Sequence, residues 1–584
     1  MSAPPSALLL FRELAPAGTA LSFQTPRCVV TATRVDQVRA ALVEVERLAR
    51  SGLHAVGYIA YEAGPAFDAA IIARPPGPPP LLHFALYDAP AAVPLPDAPP
   101  DMPAPAWIAE SGEAEHAAAV DVIRETIADG GVYQVNHTTR LRAAWDGDGL
   151  ALLLGMHTRQ RGGYGAWLDL GRWAVACASP ELFVSRRGDA VTTRPMKGTA
   201  PRGRWGEEDA AFAAALAASP KERAENVMIV DLLRNDLGRV AVPGTVRVPR
   251  LFEVERYPSL WQLTSTIEAV LRPDTSTAEL IAALFPCGSV TGAPKIAATR
   301  VIAELERSPR GIYCGIVGHI APSGDATFAV AIRTATIDRA EGTIEYGAGG
   351  AVTWDSRAGA EHAELLAKAA IATAPWPRFD LLETMRVEHD QVIRLERHLA
   401  RLARTAERFD VPFRREEVLA AVAGATERRG PISPPAARLR LLVSADGTPH
   451  AELRPLTPYP ASGLRAALAA EPVSRDDLFL CHKTTRRDVY DRRRGARPDV
   501  DEVLLRNAEG ELTEFTTGNL VVELDDARCT PPRESGLLPG VFREELIETG
   551  AVTERVLRPA DLPRATAVWL VSSLREWVPV RLVP

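Results

Sequence analysis

The sequence predicts a mixed α/β (α+β) protein of two domains, and three observations lead there. The chain has 584 residues, too many for one hydrophobic core. Helical patterns alternate irregularly with short strand-like runs, and no repeat in the roughly 20–50-residue range interrupts them. A proline-bounded break, Ala374-Pro375-Trp376-Pro377, separates an alanine-rich helical pattern from a new apolar run, Phe379 to Val387. The expected division is 1–373, a linker at 374–378, and 379–584.

In chain order, the start from Met1 to Phe11 has no basic residue before its apolar run and leads at once into Arg12 and Glu13, unlike a secretory signal. A cytoplasmic protein is expected. Residues 75–80 (Pro-Pro-Gly-Pro-Pro-Pro) and Val93 to Pro105 are too rich in proline for regular structure and are read as surface loops. Strands are expected at Trp173–Ala178, Phe328–Arg333 and Thr343–Gly347. Ser219-Pro220-Lys221-Glu222 is a helix start: serine as cap, proline in the first turn and glutamate three residues after the cap. That helix should run to about Leu237.

Composition excludes several functions. Hydrophobic residues make up 46% and charged residues 24%, and no apolar stretch nears the roughly 20 residues that span a bilayer. A net charge of −7 without a basic stripe leaves nucleic-acid binding unsupported. Cys28, Cys177, Cys287, Cys314, Cys481 and Cys529 lie far apart with no CxxC pair, so neither a disulfide framework nor a zinc site is expected.

On the helix after Ser219, Glu225 shares a face with Met228, Ile229 and Leu232. Glu361 and Glu364 repeat the three-residue spacing of Glu222 and Glu225, with Lys368 one turn on. Four carboxylates facing a cleft would repel unless a cation intervened, and oxygen-only ligands suit Mg²⁺. Spacing alone favours solvated helix charges. The longer motifs decide otherwise.

Tyr133-Gln134-Val135-Asn136, Ser179-Pro180-Glu181, Arg194-Pro195-Met196-Lys197-Gly198-Thr199, Glu225 to Leu232, Ser289-Val290-Thr291-Gly292-Ala293-Pro294-Lys295 and Gly347-Ala348-Gly349 stand in the order found in chorismate-utilising enzymes. The chain resembles that family over roughly 1–373. The resemblance implies a two-layer fold with facing β-sheets, chorismate as substrate, and Mg²⁺ held by Glu225 and Glu364 with Glu222 and Glu361 at the rim. It places Arg333 and Tyr313 on the enolpyruvyl carboxylate, the backbone of Gly347 and Gly349 against the substrate, and Thr291, Gly292 and Gln262 in the substrate-binding set.

Lys197 separates relatives, because anthranilate synthases that resemble this stretch typically carry alanine there, whereas aminodeoxychorismate synthases carry lysine. A neutral lysine could attack ring C2 and expel the C4 hydroxyl, after which ammonia adds at C4. Isochorismate and salicylate synthases share the lysine. Gln262 stands where many relatives, anthranilate and salicylate synthases among them, have a histidine. Glutamine cannot act as a base, which favours amination without elimination. No Gly-x-Cys-x-Gly nucleophile motif with a later His and Glu is found, so ammonia is expected from a separate glutamine amidotransferase subunit, or from free ammonia at high concentration.

From Phe379 onward, Leu382-Glu383-Thr384-Met385-Arg386, Arg397 to Leu402, His482-Lys483-Thr484-Thr485, Thr513 to Asn519 and Gly536-Leu537-Leu538-Pro539-Gly540 resemble class IV aminotransferase-fold proteins, including 4-amino-4-deoxychorismate lyase. The resemblance implies that Lys483 bonds pyridoxal phosphate, Glu514 pairs with its ring nitrogen, Arg401 grips its phosphate, and backbone N–H groups near Val541 add a phosphate seat. Thr384 is a candidate assisting hydroxyl. The strands that usually precede Glu-Thr-x-Arg are missing. A homodimer through this domain is left open. The expected outcome is synthesis of 4-aminobenzoate for folate; the rivals for the second domain are a D- or branched-chain aminotransferase and a cofactor-stabilised interaction module.

Overall fold

A computed structural model describes residues 5–584 except 17, 99–103, 161, 373–376, 390, 428–435 and 461. Most of the linker expected at 374–378 therefore lies outside the described residues. The chain forms two compact units. The first is Met1–Arg202 with Phe212–Trp376; the second is Pro377–Pro584 together with a short piece, Gly203–Ala211.

The first unit is built on two antiparallel ten-stranded sheets. One includes Ala7–Phe11, Tyr164–Leu170, Trp173–Ser179, Thr343–Val352 and Gln134–Ala144; the other includes His54–Ile59, Leu182–Arg187, Met196–Pro201, Leu260–Val270 and Ala326–Val330. Alternation of side chains explains the layering. Leu9, Phe11, Tyr164 and Val175 from one sheet share a core with Tyr58, Phe84, Phe183 and Phe328 from the other. Leu8 and Leu10 point the opposite way, into a core with Leu152, Leu153 and Met156 of the helix Gly149–Gln160. Because Leu9 is fully buried, Leu9→Ala should cost about 2–5 kcal/mol.

The helix after Ser219 spans Pro220–Gly238, with Ser219 Oγ accepting from the Glu222 N–H at 3.3 Å. Three expectations need correction. The strand expected at Phe328–Arg333 ends at Val330: the Ile332 N–H turns back to Val330 O, and Arg333 takes a left-handed φ of 53°. The strand expected at Thr343–Gly347 runs on to Val352, because Gln134–Ala144 pairs with it along its length. Within the proline-rich stretch, Ala91–Pro94 forms a short strand against Thr19–Phe23.

A buried charge cluster stiffens the site's floor. Glu306 accepts from Arg310, Arg140 and Thr138, and Arg310 also donates to Asn136 O at 2.7 Å and Val290 O at 2.6 Å. Burial opposes the Glu306 charge, but the two guanidiniums outweigh it and hold its pKa down to about 2. Breaking one partner would leave an uncompensated buried charge.

The second unit has a four-stranded sheet that includes Leu381–Glu388 and Ala436–Val443, and an eight-stranded mixed sheet that includes Glu502–Arg506, Leu512–Phe515 and Ala567–Ser572. Leu504, Phe515, Leu520 and Leu570 centre its main core. The apolar run after Phe379 becomes the strand Leu381–Glu388, and the Leu382 N–H donates to Lys483 O at 3.0 Å. Within this unit Arg408 Nε donates to Gly203 O at 2.8 Å, and His482 Nε2 lies 2.7 Å from Arg204 O. Among the described residues no helix is long and apolar enough to cross a membrane.

Candidate active sites

In the first unit a cavity of about 140 Å³ lies where Lys197, the helix bearing Glu225 and the helix Ala358–Ala369 converge. Lys197 is buried on the strand Met196–Pro201 and donates from Nζ to Ser289 O at 2.9 Å. Burial lowers its pKa, while Glu225 and Glu181 pull it back up.

The carboxylates differ in their surroundings. Burial pushes Glu225 up to about 7, although Lys197 opposes the shift. Glu222 and Glu361 are also raised by burial, and their mutual repulsion with Glu364 adds to it. Glu361 Oε1 accepts from Ser356 Oγ at 2.7 Å. Glu364 is half-exposed and paired with Lys368 at 2.6 Å, which holds its pKa below the usual range. Among the described residues no three acidic, imidazole or thiol groups converge closely enough to grip an ion as they stand. Glu222, Glu225 and Glu361, raised by burial and by neighbouring carboxylates, are nonetheless chemically suited, with Glu364, to a hard divalent cation.

The substrate wall is polar. Arg333 is buried with Nη1 unpartnered, the signature of a guanidinium awaiting an anion. Tyr313 packs over Gly347, where a Cβ would meet the ring at 2.2 Å, so only glycine fits. Gly349 also lines the cavity. Gln262 lines it as well, its Nε2 donating to Gly198 O at 2.9 Å and its Oε1 accepting from Thr199 Oγ1 at 3.3 Å. Two expected residues sit elsewhere. Thr291 is fully buried with its hydroxyl on Cys287 O at 2.9 Å, and Gly292 pairs with Val135, where a Cβ would meet Gln134 O at 2.2 Å. Neither lines the cavity.

Glu181 stands in one of the ordered motifs without an expected role. It is buried beside Lys197, Oε1 has no partner, and burial lifts its pKa to about 7. Its place in Ser179-Pro180-Glu181 was the available signal.

The second unit holds a cavity of about 380 Å³. Lys483 lines it, and burial, helped by the Arg401 charge, lowers its pKa to about 8. Glu514 is buried and held by three donors: the Tyr490 hydroxyl at 2.7 Å, the Leu538 N–H at 3.0 Å and Asn519 Nδ2 at 3.1 Å. Burial still lifts it to about 7. Arg401 lines the cavity too, but it commits Nε and Nη2 to Glu383 at 2.8 and 2.7 Å and Nη1 to Pro539 O at 3.1 Å. Glu383 also meets His398 Nδ1 at 2.7 Å. Val541 starts the helix Val541–Glu548 at the cavity edge, and Thr384 faces in from the strand Leu381–Glu388.

Residues 12–374 match the model of the chorismate binding enzyme family, and residues 380–583 match that of class IV amino-transferases. The chain belongs to the chorismate binding enzyme family. Aminodeoxychorismate synthase component 1 of Klebsiella aerogenes is 41% identical over 263 residues, covering 45% of this chain and 58% of that protein. The Escherichia coli protein of the same name is 42% identical over 246 residues, covering 42% and 54%. The chain thus spans little more than half the length of these curated relatives. Anthranilate synthase component I from Streptococcus pneumoniae has a similar structure, with a TM-score of 0.55 and 25% identity over 61% of this chain and 92% of that one. Two sheets that share one core are the architecture expected of a chorismate binding family member. The second cavity lies within the residues that match the class IV model.

Proposed function

We propose that residues 1–373 aminate chorismate to 4-amino-4-deoxychorismate and that residues 379–584 eliminate pyruvate from that product to give 4-aminobenzoate. The observation that carries the first step is the amine of Lys197, buried and lowered in pKa, in a carboxylate-lined cavity that also holds Arg333. Nζ attacks ring C2, the double bond shifts, and the C4–O bond breaks. Glu181, with its pKa near 7, supplies the proton that lets the hydroxyl leave as water. Ammonia then adds at C4, the double bond shifts back, and the Lys197 amine is released. Arg333 holds a substrate carboxylate throughout. Glu225, Glu364, Glu222 and Glu361 would hold Mg²⁺, which supplies charge neutralisation among the carboxylates. Ammonia comes from a glutamine amidotransferase partner, in a cytoplasmic setting.

In the second cavity, Glu514, Lys483 and the start of the helix Val541–Glu548 fit pyridoxal phosphate: an anion fixed by three donors, an amine with its pKa near 8, and free N–H groups for a phosphate. When bound, that group supplies an electron sink. Lys483 Nζ accepts the proton from substrate C4, and loss of the enolpyruvyl group as pyruvate leaves the aromatic ring. Thr384, which lines the cavity, is the candidate assisting hydroxyl. Purified protein supplied with chorismate, Mg²⁺ and ammonium should release 4-aminobenzoate and pyruvate, identified by mass spectrometry. Release of anthranilate, isochorismate or salicylate instead would overturn the first assignment.

A further inference from the structure

The second cavity carries more positive charge than its cofactor accounts for. Arg401, Arg438, Arg440, Lys483, Arg487 and Arg575 line it, against one carboxylate, Glu514. Arg401 is committed to Glu383, and Arg487 donates to Thr516 O at 2.6 Å. Among the described residues the guanidiniums of Arg438, half-buried, and Arg440, exposed, make no hydrogen bond or ion pair. They lie two apart on the strand Ala436–Val443, hence on one face, and the register sets Arg440 directly opposite Thr384 and Leu442 opposite Leu382. Both Thr384 and Leu382 line the cavity. Glu452 sits across the neighbouring strand from Arg440 and feels its charge, but its hydrogen bond goes to Arg454 at 2.6 Å. Arg575 stacks over Tyr459 at 3.8 Å, without a carboxylate partner among the described residues.

We propose that Arg438, Arg440 and Arg575 are the specificity determinants of this cavity, selecting a substrate with two carboxylates. The inference rests on the reading of this domain as a lyase for 4-amino-4-deoxychorismate, which has a ring carboxylate and an enolpyruvyl carboxylate. A branched-chain amino acid brings one carboxylate and would set the remaining guanidiniums against hydrocarbon, a costly match. Guanidinium forks match carboxylates geometrically as well as in charge.

The test compares the full-length holoenzyme with Arg438→Met, Arg440→Met and Arg575→Met. The first readout is release of 4-aminobenzoate from supplied 4-amino-4-deoxychorismate. Each variant should raise KM roughly tenfold to a hundredfold, as loss of a charged hydrogen bond does, with kcat changed far less and cofactor absorbance intact. The second readout needs no turnover. Calorimetric binding of isophthalate, with two carboxylates, should exceed that of benzoate in wild type, and the difference should shrink in Arg438→Met and Arg440→Met. If wild type turns over the substrate and the variants match it in KM and in isophthalate preference, the inference fails and the lyase reading stands. If wild type releases no 4-aminobenzoate but the variants lose isophthalate preference, the lyase reading fails and recognition of a dianion stands.

Discussion

Around Lys197 the charged neighbours that act most strongly are carboxylates, Glu225 and Glu181, whereas around Lys483 the strongest is the guanidinium of Arg401, followed by Glu383 and a second guanidinium, Arg487. Burial lowers both amines first. At Lys483 the leading neighbour works in the same direction, so a free amine is available without outside help. At Lys197 the leading neighbours work against burial and favour the ammonium. A nucleophile in that setting depends on something that offsets the carboxylates, which is what a divalent cation among Glu225, Glu364, Glu222 and Glu361 would do. The two lysines are thus the same residue type in opposite fields, and the proposed metal would bear on the first alone.

Removing each amine should sharpen the contrast most. Lys197→Ala should reduce 4-amino-4-deoxychorismate formation on the order of 10³-fold or more, with second-step turnover of supplied intermediate intact. Lys483→Ala should do the reverse: the imine absorbance disappears, the intermediate accumulates, and 4-aminobenzoate is not made. Chromatography of products from both variants checks this, and loss of both steps in either variant would break the idea of two independent amines.

Glu225→Gln and Glu364→Gln come next. Each removes one anionic oxygen, and the Mg²⁺ concentration for half-maximal activity should rise roughly tenfold to a hundredfold. The Glu225 variant also removes a charge that holds Lys197 protonated, so its acid limb should move to lower pH. A variant that kept the wild-type Mg²⁺ requirement and pH profile would break the link between nucleophile and cation.

Much of this was legible because the chemistry depends on residues fixed in ordered strings: Lys197, Glu225, Arg333, Tyr313 and Gly347 do line one cavity, as Lys483, Glu514 and Arg401 line the other. The facing sheets followed from the family resemblance, and the helix after Ser219 from its cap. What was missed depends on side-chain direction. Thr291 turns its hydroxyl to its own loop, and Glu181 becomes chemically interesting only through burial beside Lys197. Nor does any local pattern announce that Gly203–Ala211 joins the second unit.

A titration probes the second lysine alone. With a pKa near 8, Lys483 is about one-tenth free amine at pH 7 and about nine-tenths at pH 9. The lowered pKa places the reactive form above about pH 8, so capture of pyridoxal phosphate by cofactor-stripped protein should speed up about tenfold between those values and then level off. Stopped-flow absorbance reads the rate directly. A rate that kept climbing towards pH 10 would mean an ordinary lysine, and the asymmetry with Lys197 would vanish.

The smallest expected effect concerns Gln262. Its amide joins Gly198 O to Thr199 Oγ1, the two residues that follow Lys197. That role is a brace, with no proton transferred. In Gln262→His an imidazole can keep one of these two hydrogen bonds, so about 1 kcal/mol of positioning is lost and 4-amino-4-deoxychorismate formation should fall only about fivefold. The pH profile should gain no limb beyond those of wild type, because in this reading Lys197 supplies the nucleophile and Glu181 the proton, and residue 262 exchanges none. Product analysis decides the matter more sharply than rate. If the histidine variant began to release anthranilate, residue 262 would be the switch between amination and elimination, and the carboxylate field around Lys197 would be only part of what sets the first site apart.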